Sequence, residues 1–512
     1  MNPSHEITQG SRSLWVLIAL LVTACIAFPL LSVWKGYSPY RDIHLGTALE
    51  YARHGFQMEN TRIVGFNASG TPTIQELPLW QMLVGVAFKL FGEWRGWANI
   101  VSCILFATAL VPLYRIAKDL IGPEGGQWTL VFFLSQPLVF LNFGMAGTDG
   151  TSLSAAIWFW YLASRVLKST SFSPWLWIAA CVAGTLSALL KLPFFMATGV
   201  GLGCFLLWSD FRSIRNWISL SSIGLVAFIV FLVWTRYTDH LQAGAEFPFV
   251  DLRLSNPEMV FWFFGDWSYR LDPANWIKGG WRFLNTLFGS FVLIGLSLLG
   301  GWKSKPLWLP LCHLAGCAAT TIIFSHIVLH HSHYYLMFAA AVALLSANAC
   351  IWLRNSLPQS RRLEPGFTGI VGVLLSLAII QGLIGMKVAS NFDPSARRIA
   401  QIVETNTQAG DKLLIQGGGW GGDILIRTGR DGLSIWGTRF LENETDFRRL
   451  KELGYNKLVM ISESPLLHSL QVTNPGSADR VRQSYSIKRT PFVEEWPVIH
   501  RDEDIIIQEI PN

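Results

Sequence analysis

Several ionisable residues in this sequence stand beside long apolar runs, where they could do acid–base chemistry. A carboxylate in a partly dry site can act as a general base, and Asp42 is the first candidate for that role. The alternative is that Asp42 caps an interfacial helix or pairs with Arg41. Asp149 ends an apolar run, where an unpaired carboxylate is costly, and it could position an acceptor or hold a metal. Its alternative is the N-cap of the next helix, a common use of Asp.

Lys191 is a candidate for binding an anion. It lies in Leu190-Lys191-Leu192-Pro193, between two apolar runs, and needs a counter-charge there. A lipid phosphate at that depth would supply one, and ionisable groups inside a membrane usually serve function. The alternative is that this side chain snorkels to the headgroups.

A segment rich in histidine and tyrosine offers hydrogen-bond donors for a phosphate or a sugar. Its candidate substrate-binding residues are His331, His333, Tyr334 and Tyr335. The three histidines of the segment, His330, His331 and His333, also suggest zinc, but no coordination geometry is visible in the sequence. No metal site is therefore predicted; no cofactor is certain, and a divalent metal stays possible.

Glu76 lies two residues before Pro78, near the end of the loop that also carries Arg41. It is expected to bond a sugar or to orient Arg41, and both residues are counted as substrate-binding candidates. The alternative is an acidic residue that interacts with the dipole of the following helix.

The composition indicates a membrane protein. Of 512 residues, 51% are hydrophobic and only 14% are charged, against about 25% charged in soluble proteins. Apolar runs of about 20 residues, the length that crosses a bilayer, recur along the chain. The net charge of +6 lies largely in short loops, where basic residues set orientation. No nucleic-acid partner is predicted, and membrane lipids are.

The predicted fold is a polytopic α-helical module, residues 1–390, with about eleven spans by the apolar-run criterion and its amino end inside. The spans are residues 14–34, 98–113, 127–143, 153–167, 175–190, 194–208, 218–235, 283–300, 307–328, 334–353 and 367–386. The first outer loop, 35–97, is predicted to hold two surface helices, at 41–55 and 79–92. This assignment keeps the basic loops inside and places every candidate residue at the outer boundary.

Two further segments are expected on the outer side. Residues 235–282 form a longer loop, with interfacial helices or a plain linker as alternatives. Residues 391–512 are polar, without a span, and predict a small periplasmic α/β domain within the usual size range. Its predicted elements are helices at 395–405 and 446–453, strands at 412–416, 457–462 and 504–509, a glycine turn at 417–422, and a strand or helix start at 423–427.

The order of short motifs resembles a known group. An early Asp42 is followed by Glu76-Leu77-Pro78-Leu79-Trp80, the acidic turn at Asp149, Lys191-Leu192-Pro193 and His333-Tyr334-Tyr335. Over about residues 10–390, this layout resembles the bacterial GT-C glycosyltransferases related to protein O-mannosyltransferases and the lipid A aminoarabinose transferases.

The resemblance implies an enzyme of the bacterial inner membrane that uses a polyprenyl-phosphate-linked sugar on the periplasmic side, with inversion. The acceptor would be a glycan, a lipid or a protein. Asp42 would be the acceptor-activating carboxylate, Asp149 the second acidic motif and Lys191 a donor-phosphate contact. The alternatives are a flippase or transporter of lipid-linked sugars, and an assembly subunit. Transporters place ionisable groups near the midplane of a repeated fold, and this sequence has no evident repeat.

Overall fold

The structure is a computed structural model of the chain. It describes residues 3–34, 42–56, 76–209, 213–243, 253, 255–303, 308–356, 372, 376–377, 379–380, 383, 393–416, 423–435, 444–461, 495–501 and 505–511.

Helices make up the described part of the chain up to residue 356. They are α1 (Pro3–Trp34), α2 (Asp42–His54), α3 (Leu79–Phe91), α4 (Gly96–Ala107), α5 (Leu110–Ser135), α6 (Pro137–Phe143), α7 (Asp149–Lys168), α8 (Pro174–Leu190), α9 (Leu192–Ser209), α10 (Ile214–Gln242), α11 (Pro257–Phe264), α12 (Trp267–Leu271), α13 (Pro273–Phe283), α14 (Phe291–Lys303), α15 (Trp308–Ile323), α16 (Ser325–His330) and α17 (Leu336–Ser356). A π-helical turn, Leu284–Phe288, precedes α14, and a 3₁₀ turn, Ser332–Tyr335, precedes α17.

Within the described ranges, 5 helical segments are long and apolar enough to cross a membrane, and a bent pair adds one more if it counts as a single span. They are Leu14–Leu31, Gly96–Ser135, Leu192–Ser209, Ile214–Leu241 and Ser332–Ser356. Three shorter apolar helices accompany them: Leu79–Phe91, Pro174–Leu190 and Trp308–Ile323. The predicted last span, 367–386, lies mostly outside the described residues, so the count of about eleven stays a prediction.

One predicted span, 283–300, contains a sharp bend. The segments Pro273–Phe288 and Phe291–Trp302 meet at 92°. Gly289 sits between them with a φ of 63°, a left-handed conformation that glycine adopts without steric cost. Apolar periodicity does not report such a break, because both arms of the bend are apolar.

The loop at 235–282 contains the short helices α11, α12 and α13, rather than a plain linker. Asp residues begin two of them. The Asp266 carboxylate accepts from the Tyr269 amide at 2.7 Å, and Asp272 accepts from the Ala274 amide at 2.9 Å. Both satisfy amide groups that a helix start leaves without an intrahelical partner.

The predicted α/β domain is present after residue 392. Its strands are β1 (Lys412–Gln416), β2 (Asp431–Ile435), β3 (Lys457–Ile461), β4 (Val498–Arg501) and β5 (Ile505–Glu509), in the order β2-β1-β3-β5-β4. The first three are parallel, and β5 and β4 are antiparallel additions. Its helices are α18 (Asp393–Asn406), α19 (Asp423–Thr428) and α20 (Glu444–Glu452). The core joins Val403, Ile415, Val459 and Ile507, and the predicted glycine turn at 417–422 lies outside the described residues.

The chain forms two compact units. One comprises Met1–Leu30, Asn99–Arg236 and Leu254–Gly385, and the other comprises Leu31–Ala98, Tyr237–Arg253 and Met386–Asn512. The helices of the first outer loop therefore belong to the same unit as the α/β domain, and α2 contacts α19 within it. The division at residue 390 stays a prediction.

Candidate functional site

Three chain segments of the helical unit meet at the candidate site. Asp149 is the first residue of α7, and the loop before α7 is held by Asn99, whose side-chain amide donates to the Gly144 carbonyl at 2.6 Å. His333 and Tyr334 lie in the 3₁₀ turn before α17. Each segment is a short interruption between helices, which places polar side chains where apolar helices end.

Lys191 occupies the junction of α8 and α9. Its extended conformation, φ −160° and ψ 103°, ends α8 at Leu190. The Lys191 amide donates to the Ser187 carbonyl at 3.0 Å, and its own carbonyl accepts from the Phe194 amide at 3.0 Å. The backbone of one residue thus closes one helix and opens the next, which fixes the origin of the side chain.

The central contact of the site is an ion pair between Lys191 and Asp149. The Lys191 ammonium donates to Oδ1 of Asp149, and both side chains are only 4% exposed. The counter-charge that Lys191 requires is therefore present within the protein, where the sequence suggested a lipid phosphate. Thr148 is the N-cap residue of α7 and Asp149 is the first residue within the helix, so Asp149 does not occupy the N-cap position.

His333 and Tyr334 complete the group. Nε2 of His333 lies 4.0 Å from Oδ1 of Asp149, and the His333 side chain is 12% exposed. The Lys191 ammonium lies 5.0 Å from the centroid of the Tyr334 ring, within the range of a cation–π contact. The structure thus brings four of the predicted residues together. They come from three segments of the chain, and residues from different segments are at least 42 positions apart in sequence.

The other two residues of the histidine and tyrosine segment have different environments. The Tyr335 hydroxyl is buried and donates to the Gly279 carbonyl at 3.0 Å. Its only hydrogen is then engaged, so Tyr335 retains acceptor capacity alone. His331 is half-buried, and its ring centroid lies 5.3 Å from that of His333.

The candidates of the first outer loop belong to the other unit. Asp42 is the first residue of α2, but its side chain lies outside the described residues, as does all of Arg41. Glu76 is half-buried three residues before α3. In the same unit, Gln81 of α3 contacts Nδ1 of His44 at 3.0 Å, which joins α3 to α2. The predicted roles of Asp42, Arg41 and Glu76 stay predictions.

The structure also shows neighbours of the site that the sequence did not single out. Trp262 of α11 lies beside three imidazoles, with ring centroids 5.2 Å from His326, 5.7 Å from His330 and 5.5 Å from His331. Arg282 donates to the Leu329 carbonyl at 2.7 Å. His326 and His330 are four positions apart, which puts both on one helix face. This spacing was the feature of the sequence that could have pointed to His326.

The donor set at Asp149 does not suit a metal ion. The Asp149 carboxylate already accepts from an ammonium group, and a second cation at that place would meet like-charge repulsion. Among the described residues, no group of three or more His, Cys, Asp or Glu side chains is arranged to hold a metal. The site instead offers a positive ammonium, an imidazole and a phenol-bearing ring around one carboxylate, which suits an anionic substrate and a proton transfer.

Part of the sequence is similar to a known family. Residues 75–235 match the model of the family described as dolichyl-phosphate-mannose-protein mannosyltransferase. The matched segment includes Glu76, Asp149 and Lys191. No curated protein matches the chain.

Solved structures share the fold. ArnT from Cupriavidus metallidurans bound to undecaprenyl phosphate is 12% identical over 97% of this chain and 97% of its own, with a TM-score of 0.60. The Archaeoglobus fulgidus oligosaccharyltransferase in complex with Zn and sulfate is 13% identical over 87% of this chain and 68% of its own, with a TM-score of 0.50. Mycobacterial arabinofuranosyltransferase AftD is 14% identical over 88% of this chain and 37% of its own, with a TM-score of 0.50. The chain therefore shares its fold with these solved structures, which confirms the predicted helical membrane-protein fold with a C-terminal α/β domain.

Proposed function

We propose that this protein transfers a sugar from a polyprenyl-phosphate donor to an acceptor hydroxyl. The observation that carries the proposal is the buried Lys191–Asp149 pair, which His333 and Tyr334 adjoin. It lies within the segment that matches the mannosyltransferase family. ArnT, whose fold this chain shares, has been crystallised with undecaprenyl phosphate, which supports the choice of donor lipid.

Lys191 is the proposed contact for the donor phosphate. An ammonium group has three N–H donors, and Asp149 accepts one of them. A phosphate that approaches Lys191 would then be held by a charge that the protein has already oriented, with Asp149 as its positioning carboxylate. Preorganised charge of this kind stabilises a transition state in which the leaving phosphate gains negative charge.

Asp42 is the proposed general base. In the proposed step, its carboxylate takes the proton of the acceptor hydroxyl, and the acceptor oxygen attacks the anomeric carbon. The bond from that carbon to the phosphate oxygen breaks, and the electron pair leaves with the lipid phosphate. Attack opposite the leaving group inverts the anomeric configuration. Arg41 and Glu76 are proposed to bind the sugar or the phosphate from the same loop.

The sugar, the acceptor and the side of the membrane are parts of the same proposal. A hexosyl or pentosyl donor is proposed because residues 75–235 match a mannosyltransferase family and the fold is shared with an arabinofuranosyltransferase. A glycan, a lipid or a protein is proposed as acceptor. An acceptor peptide is tethered through a disulfide bond in a structure of the archaeal oligosaccharyltransferase. We place the reaction and the α/β domain on the periplasmic side of a bacterial inner membrane, in agreement with the distribution of basic loops.

The test uses purified protein in lipid nanodiscs and undecaprenyl-phosphate sugars labelled in the sugar, with mannose and aminoarabinose as two donors and a membrane extract as acceptor. Wild-type protein is expected to release undecaprenyl phosphate and to pass label to the extract. Asp42→Ala should abolish both while membrane insertion is unchanged. A variant with wild-type turnover would remove Asp42 from the mechanism. Binding of the donors without any release would favour a flippase or a binding subunit.

A further inference from the structure

Four histidines form a row that starts at the candidate site. The ring centroids of His333 and His331 are 5.3 Å apart, those of His331 and His330 are 5.2 Å apart, and those of His330 and His326 are 5.5 Å apart. Neighbouring rings at these separations can exchange a proton directly or through one water. A neutral imidazole has one N–H donor and one acceptor nitrogen, so each ring can receive a proton on one side and pass one on.

The inner end of the row lies against the Asp149 carboxylate. Nε2 of His333 is 4.0 Å from Oδ1 of that carboxylate. Lys191 and Tyr334 are the other groups that face this end, since the Lys191 ammonium reaches Oδ1 of Asp149 and the His333 and Tyr334 rings are 4.5 Å apart. A proton at His333 is therefore beside the ammonium proposed to hold the donor phosphate.

The row opens to solvent at His330, near the positive charges of Arg282 and Lys278. His330 is exposed to solvent. Burial of part of its ring, together with His326, Arg282 and Lys278, lowers the pKa of His330. A proton that reaches His330 from water is therefore held weakly there. This weak retention suits His330 to pass the proton to the next ring of the row.

The row is held in place from both sides. Nδ1 of His326 contacts the Trp262 carbonyl at 2.8 Å. A carbonyl accepts only, so Nδ1 carries the proton and Nε2 is the acceptor. The His326 and His330 rings are nearly parallel, at 10°, and Tyr269 packs on His326 with its ring centroid at 4.7 Å. These contacts fix the orientation of the His326 ring, on which the His330 ring stacks.

We propose that His330, His331 and His333 carry a proton from water to the leaving lipid phosphate at the Lys191–Asp149 site. This inference rests on the proposed function. When the bond from the anomeric carbon to the phosphate oxygen breaks, that oxygen keeps the electron pair and takes the proton of His333. His331 then reprotonates His333, His330 reprotonates His331, and water reprotonates His330. The proton of the acceptor hydroxyl, taken by the general base, returns to water, so protons balance over one turnover.

The test measures release of undecaprenyl phosphate by full-length protein carrying His330→Gln, His331→Gln, or both. Each single variant should lose about tenfold in rate, below the 10²–10⁴-fold of a direct acid–base group, and the loss should grow as pH rises because protons become scarce. Imidazole buffer should restore most of the rate, whereas phosphate buffer at the same pH should not. The double variant should lose no more than the slower single variant, because residues that act as a unit are not additive.

His240→Gln provides the matched control, since His240 is an exposed histidine of the other unit. Thermal unfolding of every variant is measured beside its rate, and an unchanged midpoint is expected for His330→Gln. A loss of rate that imidazole does not reverse would contradict proton transfer along the row, as would losses that add up in the double variant. Either result would leave the proposed function intact. A wild-type protein that releases no lipid phosphate from either donor would overturn both.

Discussion

Two ion pairs in this protein have opposite surroundings. Lys191 and Asp149 lie 42 residues apart, with both side chains 4% exposed. Arg53 and Glu93 lie 40 residues apart and form two parallel hydrogen bonds, at 2.8 and 2.6 Å. Their side chains are 43% and 41% exposed. The geometry of the exposed pair is favourable, yet solvent screens it, whereas the other pair is shielded from water.

The difference indicates what each pair does. An exposed pair contributes about 0.2–1 kcal/mol to stability. Removing two ions from water costs several kcal/mol each, and an apolar pair of similar volume is often as stable. Stability alone therefore gives no reason for a buried pair at Asp149 and Lys191. The proposed role in binding the donor phosphate would give one, since ionisable groups within a membrane generally mark such roles.

The largest expected effect is on catalysis at the buried pair. Asp149→Asn removes the carboxylate that orients Lys191 and faces His333, so sugar transfer should fall by about 10²-fold or more, as for loss of one preorganised electrostatic group. The labelled-donor assay measures this. Asp119→Asn is the matched control, because Asp119 forms an exposed pair with Arg165 at 3.6 Å. Equal rates for both variants would contradict the assignment.

The next effect is on folding. Lys191→Met leaves the Asp149 carboxylate buried without its ammonium, and breaking a buried pair costs about 3–5 kcal/mol. The midpoint of thermal unfolding in detergent should fall clearly. Lys168→Met, at an exposed position of the same unit, should leave the midpoint almost unchanged. Similar midpoints for the two variants would mean that Lys191 is not needed to compensate a buried charge.

A double variant separates stability from function. Asp149→Asn with Lys191→Gln removes both charges and keeps hydrogen-bonding groups, so most of the stability lost in Lys191→Met should return. Sugar transfer should not return, because the positive charge for the phosphate is gone. A double variant as unstable as Lys191→Met would show that the charges themselves hold the three segments together.

The smallest effect is at the exposed pair. Glu93→Gln should cost about 0.2–1 kcal/mol. The Arg53 side chain lowers the pKa of Glu93 through its hydrogen bonds and charge. The contribution is therefore complete above the ordinary carboxyl range and is lost as pH falls through the lowered pKa of Glu93. Unfolding midpoints of wild type and variant, followed downward from neutral pH, should converge only in acid. A difference that persists there would assign the effect to packing.

Among the residues that the structure describes, the sequence predicted most helices and three of the five strands, because apolar runs and alternation report directly on burial. It missed β2, where Asp431-Gly432 has the composition of a turn. A Cβ at Gly432 would lie 2.2 Å from the Leu413 carbonyl oxygen, so glycine permits the close parallel pairing of β2 with β1. It also missed β4, a four-residue strand at the sheet edge.

Most residues of the candidate site were predicted individually from the sequence. The contacts between them were not predicted. Nothing local in the sequence pairs Lys191 with Asp149, because the contact depends on how α7, α8 and α9 pack. The row of histidines was visible only in part, since His326 lies within an apolar stretch and its relation to Trp262 spans 64 residues. Residue types that can do chemistry are identified from the local sequence, whereas the residues they contact are determined by tertiary packing.

The central claim is that the buried pair forms a polyprenyl-phosphate site, and binding of undecaprenyl phosphate tests it most directly. The measurement compares the dissociation constant of this lipid for wild-type protein in nanodiscs with that of the folded Asp149→Asn, Lys191→Gln double variant. We predict saturable binding to the wild type and at least a tenfold weaker affinity in the double variant, about 1.4 kcal/mol. Equal affinities for the two proteins would contradict the account.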